Sequence, residues 1–153
     1  MIKTVLCYIE NNEQYLMLLR NKKNVDINKG KWIGVGGHIE KGESQEEALI
    51  REVKEETNLK LNSFKYRGEI LFVNKDFEEI MYLYTSSDYS GEIKECDEGE
   101  LKWIKFKDIP SLNLWEGDRI FLPRLIKDTS LINLELYYDN DKLIKVIDGE
   151  ETK

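Results

Sequence analysis

The segment that constrains the fold most is residues 37–59, which read GHIEKGESQEEALIREVKEETNL. Ser44, followed three residues later by Glu47, forms the capping-box pattern that begins a helix. The apolar residues that follow at helical spacing are Ala48, Leu49 and Val53. Asn58 is able to adopt the left-handed conformation in which many helices end. The segment therefore predicts a helix over residues 43–58.

Three glutamates share one face of this predicted helix. Glu52, Glu55 and Glu56 stand at positions i, i+3 and i+4, and Arg51 borders them. A solvated acidic face is the ordinary interpretation of such a run of charge. The like charges at Glu52 and Glu56 cost an isolated helix ~0.2–0.5 kcal/mol, and a hard divalent cation would reverse that cost by taking carboxylate oxygens as ligands. The spacing alone leaves both interpretations open.

The predicted helix is preceded by four residues rich in glycine, Gly34-Val35-Gly36-Gly37. They fit neither the GxGxxG register nor a P-loop, because no Gly-Lys-Ser/Thr follows. They are typical of a tight turn, or of a backbone that a metal ion or a phosphate approaches closely.

The rest of the chain alternates short apolar runs with turn residues. Strands are expected over residues 4–10, 14–20, 32–39, 64–73, 80–86, 101–106, 131–138 and 143–147. The first two, the middle pair 64–73 and 80–86, and the last two are expected to form hairpins, and residues 21–31 a polar, basic loop. A second helix is expected over 117–127, with Pro123 bending it or marking a later start. Many strands with two helices, not in strict alternation, predict an α+β fold with a mixed sheet between helices.

The amino-acid composition limits the class of protein to which this chain can belong. The 153 residues are 41% hydrophobic and 35% charged, which fits one soluble globular domain over residues 1–153. No stretch reaches the roughly 20 apolar residues of a membrane span, and the N-terminus turns polar too soon for a signal peptide. A cytoplasmic protein without a membrane partner is therefore expected. The net charge of −7 disfavours a nucleic acid polymer but allows a small phosphate-bearing substrate that cations bridge to carboxylates.

The spacing of residues 37–59 resembles the Nudix box. The positions that match are Gly37, Glu43, Arg51, Glu52, Val53, Glu55, Glu56 and Leu59. One position departs, since Asn58 stands where the family carries glycine, and the capping ability of Asn makes that change mild. The resemblance implies the Nudix α/β/α sandwich and a hydrolase of nucleoside-diphosphate linkages that depends on Mg²⁺, with Mn²⁺ able to replace it.

The resemblance also implies roles for particular residues. Glu52, Glu55 and Glu56 would bind Mg²⁺ together with the Gly36 carbonyl oxygen. A further metal-binding carboxylate is expected from the loop before the 101–106 strand, where Glu98 is the better match, Glu100 the alternative, and a charged turn the competing interpretation. One carboxylate would act as general base, and Arg51 would orient a box carboxylate by a charge-assisted hydrogen bond. The residues assigned to catalysis are Arg51, Glu52, Glu55 and Glu98.

Wider features resemble one branch of the family, the MutT-type enzymes and oxidised purine nucleoside triphosphatases. They are Gly30-Lys31-Trp32 and the run from Leu114 to Asp118. The resemblance implies that Trp115 stacks on a purine base and that Asp118 accepts a hydrogen bond from its edge. Ile33 and Gly117 depart, because the branch carries an Asn and an Asp at these positions. The residues expected to contact substrate are Lys22, Lys23, Ile33, Val35, Gly37, His38, Trp115 and Asp118.

Three functions are compatible with these residues. The first is hydrolysis of a nucleoside triphosphate, such as 8-oxo-dGTP, to a monophosphate and pyrophosphate. The second keeps the chemistry and changes the substrate to ADP-ribose, a dinucleoside polyphosphate or a capped RNA end, of which the acidic charge disfavours the RNA. The third is a non-catalytic nucleotide-binding domain, which the retention of every box glutamate disfavours. A monomer or a homodimer fits each of them.

Overall fold

The computed structural model describes residues 1–23 and 26–149. Residues 24 and 25 of the predicted 21–31 loop lie outside the described part of the chain. The strands are β1 Ile2–Ile9, β2 Gln14–Arg20, β3 Trp32–Ile33, β4 Val35–His38, β5 Lys60–Asn74, β6 Phe77–Ser90, β7 Gly99–Lys105, β8 Ile132–Asp139 and β9 Lys142–Asp148. The α-helices are α1 Gln45–Thr57 and α2 Asp118–Lys127, and a 3₁₀ helix spans Phe106–Ser111.

The strands form two sheets. The larger has the order β4-β1-β6-β5-β8-β9 and the smaller the order β3-β2-β7. The larger sheet is mixed, because β1 runs parallel to β6 and β5 parallel to β8 while its other pairs are antiparallel. No helix among the described residues is long and apolar enough to cross a membrane.

The two helices lie on opposite sides of β1. Val5 and Cys7 of β1 pack in one buried cluster with Leu49 of α1. Tyr8, the next residue along β1, belongs to a second cluster that contains Phe121 of α2. A strand that is buried on both faces has a continuous run of apolar residues, and this explains the sequence VLCYI at residues 5–9. The α+β fold with a sheet between helices is therefore confirmed.

Helix α1 begins and ends as its sequence predicts. The Ser44 side chain accepts a hydrogen bond from Glu47 N at 3.0 Å, and the Glu47 carboxylate accepts one from Ser44 N at 2.9 Å. Asn58 has φ 70° and donates its N–H to the Lys54 carbonyl. Because all of these contacts are local in sequence, the helix could be predicted without knowledge of the rest of the fold.

Two strand predictions are wrong. The turn between β1 and β2 is present, but the two strands enter different sheets and share only a bridge between Glu10 and Tyr15. Each is a central strand whose edges are occupied by other partners. The predicted strand 32–39 is divided at Gly34, where a side chain would stand 2.8 Å from the Cys7 carbonyl oxygen. Glycine lets the chain pass close over β1 from one sheet to the other.

The other strand pairs follow the prediction. β5 and β6 are antiparallel neighbours and extend beyond the predicted bounds, and β8 and β9 form the closing hairpin. Helix α2 begins at Asp118, so Pro123 lies inside it and does not mark its start. The 3₁₀ helix after β7 was not predicted.

Candidate active site

Arg51 forms hydrogen bonds with three carboxylates on and before helix α1. Its Nε lies 2.6 Å from Glu43 Oε2, and one terminal nitrogen lies 2.9 Å from Glu52 Oε2 and 3.2 Å from Glu55 Oε1. The other terminal nitrogen donates to the His38 carbonyl oxygen at 2.9 Å. The hydrogen bonds from Arg51 lower the pKa of the Glu43 carboxyl to about 2. The guanidinium thus fixes the loop before α1 to the acidic face of the helix.

Glu56 and Glu52 face the glycines of β4. Glu56 is 6% exposed and accepts a hydrogen bond from the Gly36 N–H at 2.9 Å. A side chain at Gly37 would lie 2.4 Å from the Glu52 carboxyl carbon, so glycine is what allows that carboxylate to approach the strand. The contact between Gly36 and α1 is made by its N–H, and the role of its carbonyl as a metal ligand stays a prediction.

Burial and mutual repulsion raise the pKa of two carboxyls in this group. Burial raises the pKa of Glu56 to about 8, and repulsion from Glu98 and Glu52 adds to the increase. Burial also raises the pKa of Glu52, against the opposing effect of Arg51. Burial and repulsion both favour the neutral carboxyl over the charged one, and a bound cation would have the opposite effect.

Glu98 reaches this group from the loop before β7. Its carboxylate lies 3.1 Å from an Arg20 terminal nitrogen and 3.4 Å from Lys23 Nζ. Lys22 Nζ donates to the Cys96 carbonyl oxygen at 2.8 Å. The two lysines predicted to contact substrate therefore contact this loop. Of the two candidate loop acids, it is Glu98 and not Glu100 whose charge raises the pKa of Glu52 and Glu56.

The donor set fits a hard divalent cation, which prefers carboxylate oxygens. Within residues 1–23 and 26–149, however, no three acidic, His or Cys side chains are gathered into a ready metal-binding group. Each candidate already has a partner, because Glu52 and Glu55 contact Arg51, Glu56 contacts Gly36, and Glu98 contacts Arg20. A cation would have to draw these side chains together.

A cavity of about 240 Å³ lies beside the carboxylates. Gly36, Gly37 and His38 of β4 line it on one side, and Trp115 and Asp118 line it on the other. The cavity also reaches Ile33. Val35 does not contribute, because it is fully buried among the side chains that face α1, so the structure does not bring this predicted contact to the cavity.

Trp115 is held rigidly at the cavity wall. Its ring meets Phe72 and Tyr138 edge to face, at centroid distances of 5.2 and 5.0 Å. Its Nε1 donates to Asn28 Oδ1 at 2.8 Å, and Lys31 Nζ lies 5.0 Å from the ring centroid. Trp115 is therefore part of the hydrophobic core and also part of the cavity lining.

Asp118 is a buried acid without a hydrogen-bond donor. It is 6% exposed, and no donor in the described part of the chain reaches its carboxylate. Burial raises its pKa to about 7, while Lys31 and Arg119 act in the opposite direction. Because Asp118 lines the cavity, its carboxyl is available to a molecule bound there.

The residue before Asp118 leaves no room for a second acid. A side chain at Gly117 would lie 2.4 Å from Leu136 Cδ1 and 2.8 Å from the Tyr138 hydroxyl. The Gly117 N–H donates to that hydroxyl at 2.7 Å. The packing of α2 against β8 therefore requires glycine at position 117, where the branch carries Asp.

Sequence reasoning missed several residues that line the cavity. They are Thr4, Arg20, Asp26, Asn28, Phe72 and Glu79. Thr4, Asn28 and Glu79 come from three distant parts of the chain, so no local spacing connects them. Glu79 could have been found from the sequence, because it lies between Phe77 and Met81 in a row of every second residue, where a strand that faces the core should carry apolar side chains.

The chain is similar to known proteins over most of its length. The family model described as the NUDIX domain matches residues 2–125. The chain is 29% identical over 133 residues to an uncharacterized Nudix hydrolase, YvcI, from Bacillus subtilis, covering 83% of this chain and 80% of that protein. It is 27% identical over 130 residues to the oxidized purine nucleoside triphosphate hydrolase of Danio rerio, covering 84% and 83%.

The fold comparison reaches almost the whole chain. The crystal structure of a mutator MutT protein from Bacillus halodurans superposes with a TM-score of 0.87 at 24% identity, covering 96% of this chain and 97% of that one. The fold and the carboxylate face define a hydrolase of nucleotide phosphoanhydrides. The chain belongs to the Nudix family, and its relatives place it in the MutT-like part of that family. Enzymes of the family generally use a divalent cation.

Proposed function

We propose that residues 1–153 form a single Nudix hydrolase domain that uses Mg²⁺ to convert a nucleoside triphosphate to a monophosphate and pyrophosphate. The substrate we propose is an oxidised purine deoxynucleotide such as 8-oxo-dGTP. The observation that carries this proposal is the Asp118 carboxyl, buried beside Trp115 without a donor. The cavity that both residues line extends to the glycines against which Glu52 and Glu56 lie.

The carboxylates would hold the cation. Glu52, Glu55, Glu56 and Glu98 supply the oxygen ligands, and Mn²⁺ is an alternative to Mg²⁺. When bound, the cation neutralises phosphate oxygens and lowers the barrier to attack by water. The water oxygen bonds to phosphorus, the bridging P–O bond breaks, and a carboxylate among Glu52, Glu55 and Glu98 takes the proton. Arg51 keeps Glu52 and Glu55 in place.

The cavity would hold the nucleoside. A flat base stacked on Trp115 gains ~1–3 kcal/mol by analogy with single-strand binding sites. Asp118 has a pKa near neutrality, so its carboxyl is suited to exchange a hydrogen bond with a purine edge. Ile33 lines the same cavity without a polar group, so it would not replace the Asn that the branch carries as a partner for the base. A relative named for oxidized purine nucleoside triphosphates supports the same substrate class.

The test is a substrate panel with Mg²⁺. It contains 8-oxo-dGTP, dGTP, dATP, ADP-ribose and a diadenosine polyphosphate, with pyrophosphate and monophosphate release measured for each. The proposal predicts the highest kcat/KM for 8-oxo-dGTP. Turnover confined to ADP-ribose or the dinucleotide would refute the substrate, and binding without any turnover would show a non-catalytic domain.

A further inference from the structure

Glu79 is an acid in a row of apolar side chains. Alternate residues of β6 point to the same side of the sheet, and its neighbours in that row are Phe77, Met81 and Leu83. All three neighbours belong to or pack against the cluster on the α2 side. Placing a carboxylate in such a row costs free energy unless a donor or a ligand compensates.

The Glu79 carboxylate has acceptor capacity to spare. Its Oε2 accepts a hydrogen bond of 2.6 Å from Thr4 Oγ1, and among the described residues no second donor reaches it. An ionised carboxylate has about four lone-pair positions. Thr4 and Glu79 both line the cavity, so a ligand bound there can use the positions that Thr4 leaves free.

The Thr4–Glu79 pair lies between the two sides of the cavity. Thr4 of β1 is the register partner of His38 in β4. Glu79 of β6 is the register partner of Phe72 in β5, whose ring contacts Trp115. Thr4 is the register partner of Met81 in β6, and its hydroxyl reaches Glu79 diagonally, so the hydrogen-bonded pair connects β4, the strand that contains the glycines, to the aromatic residues beside Trp115. In a nucleotide the sugar occupies the corresponding place, between the phosphates and the base.

We propose that Glu79, oriented by Thr4, is a specificity-determining residue that accepts a hydrogen bond from a sugar hydroxyl of the bound nucleotide. This inference rests on the proposed function, which places the base at Trp115 and the phosphates at α1. A carboxylate is a good acceptor for sugar hydroxyls, as the acidic residue of dinucleotide-binding folds illustrates. The same charge repels phosphate, so the pair does not serve the triphosphate.

The test compares nucleotides that differ only in their hydroxyls. GMP, dGMP and 2′,3′-dideoxy-GMP are titrated calorimetrically into wild type and Glu79→Met, so that no turnover intervenes. Met is apolar and matches Met81 in the row, so the variant should fold. A hydrogen bond to a charged group predicts that wild type prefers the hydroxyl-bearing nucleotides by about 10- to 100-fold over the dideoxy form. Glu79→Met should reduce this preference to about 2-fold or less and leave dideoxy-GMP binding unchanged.

Two further variants complete the experiment. Glu78→Met changes the exposed neighbour on the other face of β6 and should keep the wild-type preference. Glu79→Gln retains an acceptor for Thr4 and should show an intermediate preference. If Glu79→Met does not fold, the preference of Glu79→Gln is the measurement that tests the assignment. Equal binding of all three nucleotides by wild type, equal weakening of all three by Glu79→Met, or no nucleotide binding would overturn the Glu79 assignment. Hydroxyl-dependent binding without hydrolysis of any triphosphate would refute the proposed function alone.

Discussion

The most specific prediction concerns the stability of Asp118→Asn. Burial raises the pKa of this carboxyl from its ordinary value of 3.8 to about 7. Because the pKa is higher in the folded state, the wild-type protein loses stability as the pH rises from about 4 to about 7, and the loss is constant above that. Each pH unit within this window is worth about 1.4 kcal/mol. Ionised Asp118 therefore costs the folded state about 4 kcal/mol at pH 8.

The Asn variant removes the charge but leaves an amide without partners. That amide costs ~1–3 kcal/mol, so Asp118→Asn should be more stable than wild type by about 1–3 kcal/mol at pH 8. At pH 5 the two proteins should differ by only about 1 kcal/mol or less. Nucleotide binding should weaken in the same variant, because the carboxyl is lost from the cavity.

Urea unfolding at pH 5, 6, 7 and 8 measures this difference. Asp76→Asn, in the exposed turn between β5 and β6, is the matched control and should follow wild type at every pH. The reasoning is refuted if Asp118→Asn is less stable than wild type at pH 8 by more than it is at pH 5. That result would mean that the ionised carboxylate has a favourable partner in the folded protein.

Three other substitutions test separate parts of the structure. Gly37→Ala should displace the Glu52 carboxylate, because its carboxyl carbon lies 2.4 Å from the added Cβ. Steady-state kinetics should show that kcat falls by about 10-fold or more, while circular dichroism shows an intact fold. Asn58→Ala should lower the free energy of unfolding by about 1 kcal/mol, because φ 70° is unfavourable for Ala, whereas Asn58→Gly should not lower it. Arg20→Gln should reduce kcat/KM by about 10-fold, because it removes the ion pairs that join Arg20 to Asp26, which lines the cavity, and to Glu98. An unchanged kcat/KM would show that these ion pairs do not contribute to catalysis.

Local features of this fold could be predicted and nonlocal ones could not. Helix α1 follows from its own cap, its apolar stripe and Asn58, all within one segment. The partners of β1 and β2 were missed because a turn signal fixes where the chain reverses, and neighbours elsewhere in the sequence decide which strands pair. Gly34 illustrates this limit, since the reason for it is the Cys7 carbonyl on another strand.

The candidate site divides in the same way. The box spacing predicted that Glu52, Glu55 and Glu56 share one face of α1, because helical periodicity relates positions within a single segment. Thr4, Asn28 and Glu79 meet in the cavity only after folding, and each looks ordinary in its own segment. Val35 shows the same limit, because strand alternation turns its side chain toward α1 and away from the cavity.

We expect the acidic face of α1 to hold the divalent cation that hydrolysis requires. Mn²⁺ binding followed by electron paramagnetic resonance, with turnover of the best triphosphate measured in parallel, tests it most directly. Glu55→Gln and Glu56→Gln should each weaken Mn²⁺ binding by about 10-fold or more and reduce kcat by about 100-fold or more while the fold persists. Glu46→Gln, in the exposed first turn of the same helix, should leave both unchanged. Wild-type Mn²⁺ affinity and turnover in both box variants would contradict the account.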